Sequence, residues 1–297
     1  MQANNRMIQR LSVTLLLSVA ALSGCSGDKK EASAAQPDAK KEGSVAPRTA
    51  VVSTPAAPYQ ATQVADGVTL IGTVDFDGTI PADSVVTVPP DQPGCGPTIN
   101  LKNVQNSGSR IGGAAVWITD IRSGKPLPIQ RRFELLNADC VLSPKVQAVM
   151  TTGTLNVSSE DVTMHRDHII NVATGEMIGV APFNDNGEVV PFDHVLDKPA
   201  QLEVTCQLHP WSKAYIIVLD HPYFAMTSPT GTFSIDDIPP GTYHVRAWHP
   251  SLGLSDQTVT IVAGQPASLA LKLSSVPASL PAAAPAAAPA AAPATKS

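Results

Sequence analysis

No segment of the 297-residue sequence keeps a helical spacing of apolar side chains for long, which argues against a helical bundle and against a parallel α/β sheet. Short runs of alternating apolar and polar residues occur instead, broken by glycine, proline and asparagine, as in 68–76 and 114–119. A dense series of such runs is typical of β-sandwiches. We therefore expect an all-β protein whose core, roughly 210 residues long, forms two or three β modules.

The sequence also lacks the short motifs that mark common catalytic and cofactor sites. It contains no Gly-x-Ser-x-Gly nucleophile elbow and no Cys-x-x-Cys-His haem attachment motif. Its Gly94-Cys95-Gly96 segment has no third glycine of a dinucleotide-binding loop. We therefore expect a binding protein and no enzyme activity.

An excess of positive charge is absent as well, and no apolar run is long enough to span a membrane. The run from Leu11 to Leu22 follows Arg6 and Arg10 and has the layout of an export signal. Removing residues 1–24 leaves 18 basic and 25 acidic residues, a net charge of −7. An exported, acidic chain is a poor candidate for nucleic-acid binding.

The export signal ends in Ser23-Gly24-Cys25, which resembles a bacterial lipobox. That resemblance implies cleavage before Cys25 and acylation at that residue, which would anchor the protein to a membrane. Because Ser26 follows the cysteine, we expect a cell-envelope protein sorted to the outer membrane. The alternative is an ordinary signal peptide with an unrelated cysteine.

Both ends of the chain have compositions that do not support a packed core. Residues 25–62 are rich in alanine, serine, proline, lysine and glutamate, and predict a disordered tether. Residues 276–297 repeat proline and alanine, and predict a disordered, semi-rigid tail. The folded part is therefore expected between them.

The exported location permits a disulfide, and Cys95 with Cys140 is the pair we prefer. Cys95 lies in a glycine-flanked turn and has no other evident role, whereas a bond from Cys140 to Cys206 would use the cysteine with the strongest metal-ligand setting. Closing a loop of about 45 residues would stabilise the fold by about 4 kcal/mol in the chain-entropy account.

Cys206 and His209 lie three positions apart, directly after the strand-like run 202–205. If His165 or His168 joins them, the chain offers one sulfur and two nitrogens, a set that suits a mononuclear copper site. A protonated core cysteine beside ordinary histidines is the structural alternative. Zinc on the same side chains is less favoured, because structural zinc sites prefer repeated ligand pairs.

The order of these motifs resembles the cupredoxin family, with the amicyanin and plastocyanin branch the nearest. The resemblance covers 130–220 and rests on Cys140-Val-Leu-Ser-Pro, Gly153-Thr-Leu-Asn-Val, the histidine cluster and Thr205-Cys-Gln-Leu-His-Pro-Trp. It implies a Greek-key β-sandwich that holds copper through His165, Cys206 and His209, with His168 as the alternative to His165. Ser212 stands where the family usually has an axial methionine.

The segment 221–275 resembles a carboxypeptidase regulatory-like module, a smaller transthyretin-type β-sandwich. The motifs are Tyr223-Phe-Ala-Met-Thr, Gly231-Thr-Phe-Ser-Ile, Ile238-Pro-Pro-Gly-Thr-Tyr and Val245-Arg-Ala-Trp-His. The preceding segment, 63–129, is expected to form further β structure of an accessory kind.

Two functions follow from these patterns. The first is a membrane-anchored cupredoxin-like protein that binds one copper ion for electron transfer or copper handling, with a redox protein as partner. The second is a metal-free envelope scaffold whose β-sandwiches bind a protein or a glycan.

Overall fold

The computed structural model describes residues 50–52, 57–129 and 131–274. Its strands, in chain order, are β1 Gln60–Ala61, β2 Val68–Phe76, β3 Ser84–Thr87, β4 Thr98–Leu101, β5 Gln105–Ser107, β6 Arg110–Gly112, β7 Ala115–Ile118, β8 Ser123–Gly124, β9 Arg132–Ala138, β10 Val141–Ser143 and β11 Val146–Met150. They continue as β12 Thr154–Ser159, β13 His165–Asn171, β14 Met177–Phe183, β15 Val189–Phe192, β16 Ala200–Cys206, β17 Lys213–Leu219, β18 Phe224–Met226, β19 Thr232–Ile238, β20 Gly241–His249, β21 Gly253–Ile261 and β22 Ala267–Leu273. A 3₁₀ turn, Pro93–Cys95, lies between β3 and β4. The predicted all-β class is confirmed.

Strands β9 to β17 form the first sandwich. One sheet has the order β10-β9-β12-β15 and the other β11-β17-β16-β13-β14. Their inner faces enclose a core of fully buried aliphatic side chains, among them Leu135, Leu155, Ile169, Leu202 and Val218. The alternating burial of β12, from Thr154 to Ser159, shows the period of two expected for a strand with one face on a core.

The second sandwich is built from two distant parts of the chain. One of its sheets has the order β18-β7-β20-β21, and the other has the order β19-β2-β6-β5 with β22 also paired to β2. Segments 63–129 and 221–275, which the sequence patterns present as separate units, thus share one core that includes Leu70, Ile118 and Val245. The first sandwich is an insertion between these two parts.

A third apolar cluster joins the two sandwiches. It contains Trp117 and Trp248 from the second sandwich and Val146 and Ile217 from the first. Tyr215 meets Trp248 edge to face, with ring centroids 5.6 Å apart. Aromatic packing of this kind adds to the stabilisation from area burial, so the two sandwiches form a continuous apolar contact.

The hairpin of β3 and β4 reaches from the 63–129 segment to one end of the first sandwich. Val88, Cys95 and Ile99 pack there against Cys140 and the half-buried ring of Trp211. This contact brings a part of the chain that is remote in sequence to the loop that follows Cys206.

Gly124 occupies a place where no other residue fits well. Its φ angle is 146°, and a Cβ there would overlap the hydroxyl of Tyr223. That hydroxyl accepts a hydrogen bond from the Lys125 N–H at 2.7 Å and donates one to the Asp237 carbonyl at 3.0 Å. The glycine therefore permits a buried tyrosine to connect β8 to the end of β19.

We expect Gly124→Ala to lower the free energy of unfolding by about 3 kcal/mol, because it adds backbone strain and displaces a bonded hydroxyl. Gly187→Ala is the matched control, since Gly187 also has a positive φ, 80°, but nothing lies near its Cβ position. We expect the control to cost about 1 kcal/mol. Urea denaturation of both variants measures the difference, and equal losses would contradict the role given to Tyr223.

The described residues contain no helix that is long and apolar enough to cross a membrane. The predicted lipidation site, Cys25, and the tail 276–297 lie outside the described residues, as does most of the predicted tether.

Candidate metal centre

Strand pairing places Cys206 and His165 on the inner face of the first sandwich. Cys206 ends β16 directly opposite Asp167 of β13, and paired residues of neighbouring strands share a face. Because side chains alternate along a strand, His165 lies on the same face as Asp167. His165 and Cys206 are each 1% exposed.

The loop after Cys206 folds back so that His209 returns to the thiol. The Cys206 N–H donates to the Ser212 carbonyl at 3.2 Å, and the Ser212 N–H donates to the His209 carbonyl at 2.8 Å. These two bonds fix the loop as a compact turn. The imidazole of His209 is 1% exposed and packs against the ring of Trp211 at a centroid distance of 5.3 Å.

Three donor atoms converge inside this turn. The Cys206 Sγ lies 3.6 Å from His165 Nδ1 and 3.5 Å from His209 Nδ1, and the two nitrogens are 3.1 Å apart. The point equidistant from the corners of this triangle is about 2.0 Å from each atom, close to the bond lengths that imidazole and thiolate form with first-row metal ions. The arrangement fits a single ion bound by one sulfur and two nitrogens.

His168 and Ser212, also named from the sequence, contribute no atom to this triangle of donors. His168 pairs with Thr205, so it faces the side of the sheet opposite to Cys206. Ser212 is fully buried, and its Oγ accepts a hydrogen bond from the Leu142 N–H at 2.8 Å. The serine hydroxyl thus ties the loop to β10.

Asp161 supports the site and is not among the residues predicted from the sequence. Its Oδ2 lies 2.9 Å from His165 Nε2 and accepts the Cys140 N–H at 3.0 Å. A carboxylate on the outer nitrogen fixes the tautomer in which Nδ1 is free to bind a metal. The signal available in the sequence was an aspartate four residues before a candidate histidine ligand.

A disulfide joins Cys95 to Cys140, with the Cα atoms 5.7 Å apart, and it borders the same site. The Cys95 sulfur lies 3.3 Å from His209 Nε2. The Trp211 Nε1–H donates to the Cys140 carbonyl at 3.0 Å. Cys206 is a free, buried cysteine, so the thiol remains available as a ligand.

Burial keeps Cys206 and His209 neutral when no cation is bound. Burial, together with the nearby Asp167 carboxylate, raises the pKa of the Cys206 thiol to about 11. Burial lowers the pKa of His209 to about 4, with an added contribution from His165. The Asp167 carboxyl also has a raised pKa because of burial, while the Asn137 amide donates to it at 2.6 Å. A metal ion would therefore have to displace the thiol proton.

Comparisons with known proteins were made for the sequence and for the fold. Residues 207–269 match the family described as polysaccharide lyase family 4, domain II. This differs from the carboxypeptidase regulatory-like module predicted for 221–275. Short alternating strands with proline and glycine turns are common to many β-sandwiches, so such patterns do not separate the two families. No curated protein matches.

Several solved structures resemble part of the fold. They include a copper-containing nitrite reductase from Thermus scotoductus SA-01, at 24% identity and a TM-score of 0.26, covering 34% of this chain and 24% of that chain. A purple cupredoxin from Nitrosopumilus maritimus matches at 18% identity and a TM-score of 0.24, covering 29% and 99%. An amicyanin variant in the reduced Cu(I) form matches at 11% identity and a TM-score of 0.25, covering 32% and 86%. The first sandwich holds all three convergent donor atoms, and the match to the nitrite reductase spans about a quarter of that enzyme's length.

We expect Asp161→Asn to weaken metal binding at the three donors by 10–100-fold, because an amide no longer fixes the His165 ring as a carboxylate does. Asp193→Asn is the matched control, since Asp193 is exposed and accepts only from the Thr154 hydroxyl at 2.8 Å. Competition titrations with a copper(I) chelator measure both affinities. Equal affinity in the two variants would contradict the role of Asp161.

Three buried histidines make the metal-free protein sensitive to acid. Burial is the main cause that lowers the pKa of His209 and His249 to about 4 and that of His221 to about 3, from an ordinary value of 6.5. The unfolded chain binds these protons near pH 6.5, whereas the folded chain binds them only at about pH 4, or about pH 3 for His221. Stability contributed by the neutral rings is therefore present above pH 6.5 and lost as the pH falls toward 4.

We expect unfolding of the metal-free protein in this window to take up as many as three protons, a slope approaching about 4 kcal/mol per pH unit. Urea titrations at half-unit pH intervals measure the slope. His221→Gln should reduce the uptake by one proton, because His221 lies away from the three candidate ligands and its Nδ1 accepts the Tyr223 N–H. If the substitution left the slope unchanged, groups other than His221 would have to account for the protons taken up on unfolding.

Proposed function

We propose that the protein binds one copper ion in its cupredoxin-like sandwich through His165, Cys206 and His209, and that it serves electron transfer in the cell envelope. The observation that carries the proposal is the triangle of donor atoms, with sides of 3.1 to 3.6 Å, formed by one thiol and two imidazole nitrogens. One sulfur and two nitrogens in a trigonal arrangement suit copper that cycles between one-electron states.

The donor set favours copper over zinc. Structural zinc is bound tetrahedrally by four protein ligands, whereas this site offers three convergent donors, and Ser212 Oγ is engaged by the Leu142 N–H. Axial ligation in copper sites of this type is weak. The absence of a methionine at position 212 therefore changes the reduction potential of the copper ion more than it changes the affinity of the site for copper.

Burial of the site favours electron transfer over copper delivery. His165, Cys206 and His209 are each 1% exposed, and the β3–β4 hairpin covers the His209 side. Because the three side chains are buried, another protein or a chelator cannot bind the ion directly. This suits an ion that remains bound while it exchanges electrons. A small redox protein is the partner that this function requires.

Copper titration with absorption spectroscopy tests the proposal. We expect one copper ion per chain and a visible thiolate-to-copper(II) band that disappears on reduction. Cys206→Ser should abolish the band. Two results would contradict the proposal. One is stoichiometric copper binding without a thiolate band in the unaltered protein, and the other is no uptake of copper at all.

We propose that acylation of Cys25 holds this copper site at the surface of a bacterial membrane, with the outer membrane as the expected location. The support is the apolar run followed by Ser23-Gly24-Cys25 and Ser26. Fractionation of cells that express the full chain tests it. We expect the protein in the membrane fraction and Cys25→Ala in the soluble fraction, whereas membrane retention of the variant would contradict the anchor. The metal-free scaffold that binds a protein or glycan stays the alternative prediction.

A further inference from the structure

The Cys95–Cys140 disulfide borders the metal centre on the side opposite to Cys206. The imidazole of His209 separates the two: its Nδ1 lies 3.5 Å from the Cys206 Sγ, and its Nε2 lies 3.3 Å from the Cys95 Sγ. The same ring therefore presents one nitrogen to the free thiol and the other to the disulfide.

The surroundings of the disulfide contain further donors. The two cysteine sulfurs and a nitrogen of His209 all lie within 4.8 Å of one another. A second group, Cys140, Asp161 and His165, meets the same criterion. The Asp161 Oδ2 is already held toward this side, since it accepts the Cys140 N–H at 3.0 Å. Two sulfurs and an imidazole nitrogen are thus close together, and the Asp161 carboxylate lies beside the Cys140 sulfur.

We propose that reduction of the Cys95–Cys140 disulfide creates a second metal site, which binds a soft ion such as Zn(II), Cd(II) or Cu(I) through both thiolates and His209 Nε2. As long as the disulfide is intact its sulfurs are poor ligands, because metal binding by cysteine requires the thiolate. Reduction supplies two thiolates at positions where the fold already holds the third donor. Asp161 is the carboxylate within reach as a fourth ligand.

The chemistry balances with a dithiol as the reductant. Thiol–disulfide exchange breaks the Cys95–Cys140 bond, gives two protein thiols, and leaves the reductant as a disulfide. A divalent ion then displaces two thiol protons and forms two metal–sulfur bonds. A small-molecule disulfide in excess re-forms the Cys95–Cys140 bond by the same exchange, is itself reduced to thiols, and so releases the ion.

One sulfur of the disulfide, that of Cys95, is accessible to an attacking thiolate. Cys95 is 9% exposed, whereas Cys140 is 1% exposed, so attack at Cys95 is the accessible one. Cys95 lies in the 3₁₀ turn of a hairpin loop. A side-chain hydrogen bond from Gln92 Nε2 to the Leu208 carbonyl at 2.8 Å also connects this loop to the loop after Cys206. Reduction would loosen the hairpin loop without breaking the sheets of the first sandwich.

Cadmium titration of the Cys206→Ser chain tests the second site separately from the proposed copper site. This variant loses the thiol of the first site and keeps the disulfide. We expect no thiolate-to-cadmium absorption in the oxidised variant and one cadmium ion per chain after dithiol reduction and removal of the reductant. Failure of copper binding in the unaltered protein would not affect this result, so the two proposals fail independently.

Two further variants show whether the fold forms the site. In the Cys206→Ser background, the double substitution Cys95→Ser/Cys140→Ser should abolish cadmium uptake, and His209→Gln should weaken it at least tenfold. Equal affinity with and without His209 would overturn the site, because a bare pair of thiols would then explain the binding. No uptake by the reduced Cys206→Ser chain would overturn it as well.

The unaltered protein provides a measurement that does not depend on the folding of any variant. Reduction should raise its cadmium content by one ion per chain, with His209 losing its ring proton to bridge the two ions, and reoxidation after metal removal should restore the original value. An unchanged content on reduction would contradict the proposal.

Discussion

Replacing His165 by glutamine is expected to lower copper affinity by more than a hundredfold, while His168→Gln leaves it unchanged. His165 contributes one of three donor atoms and is 1% exposed, so its loss leaves a buried thiol with one imidazole. The loss should exceed the 10–100-fold that removal of a supporting residue causes. Chelator competition measures the affinities, and the thiolate band reports whether the site still forms.

His168→Gln is a close control, because the two histidines lie three positions apart on the same strand. His168 pairs with Thr205 on the other face of the sheet, where the change cannot reach the donors directly. Circular dichroism should show both variants folded. If His168→Gln also lost copper, the register of β13 would have to differ from the one described.

Separating the two parts of the second sandwich is expected to abolish its folding. In the structure β2 lies between β19 and β22, and β7 lies between β18 and β20. A fragment 221–275 would therefore lack the central strand of each sheet, and its strands would have unpaired backbone groups. We expect this fragment to show no cooperative thermal transition.

The complementary chain should fold without the inserted sandwich. Residues 57–129 joined to 221–275 by a short glycine-serine linker restore both central strands. The joint is close, since Arg122 and Asp220 form an ion pair at 3.0 Å. Differential scanning calorimetry should show a transition for the joined chain. A transition of similar enthalpy in fragment 221–275 alone would contradict the shared core.

Local patterns predicted the all-β class and the three residues whose donor atoms the structure brings together. Alternation along 202–206 placed Cys206 on the core face, and the short spacing to His209 required only a local turn. The choice between His165 and His168 depended on strand register, which a run of polar and apolar residues around 165–168 does not determine.

The remaining features depend on contacts between distant residues. Pairing of β2 with β22 joins positions separated by almost 200 residues, and local sequence patterns do not indicate which distant strands will pair. The position of Cys95 against His209 depends in the same way on where the β3–β4 hairpin packs. Asp161 could have been selected only after the orientation of His165 was known.

The parallel pairing of β2 and β22 also determines how the protein would carry mechanical load. Seven residue pairs, from Leu70 with Ala267 to Phe76 with Leu273, connect the first long strand of the chain to the last. Tension applied before β2 and after β22 pulls these strands in opposite directions and loads their hydrogen bonds together in shear. The force path runs through the second sandwich and bypasses the inserted one, so the three candidate donor atoms would keep their geometry while the chain is stretched.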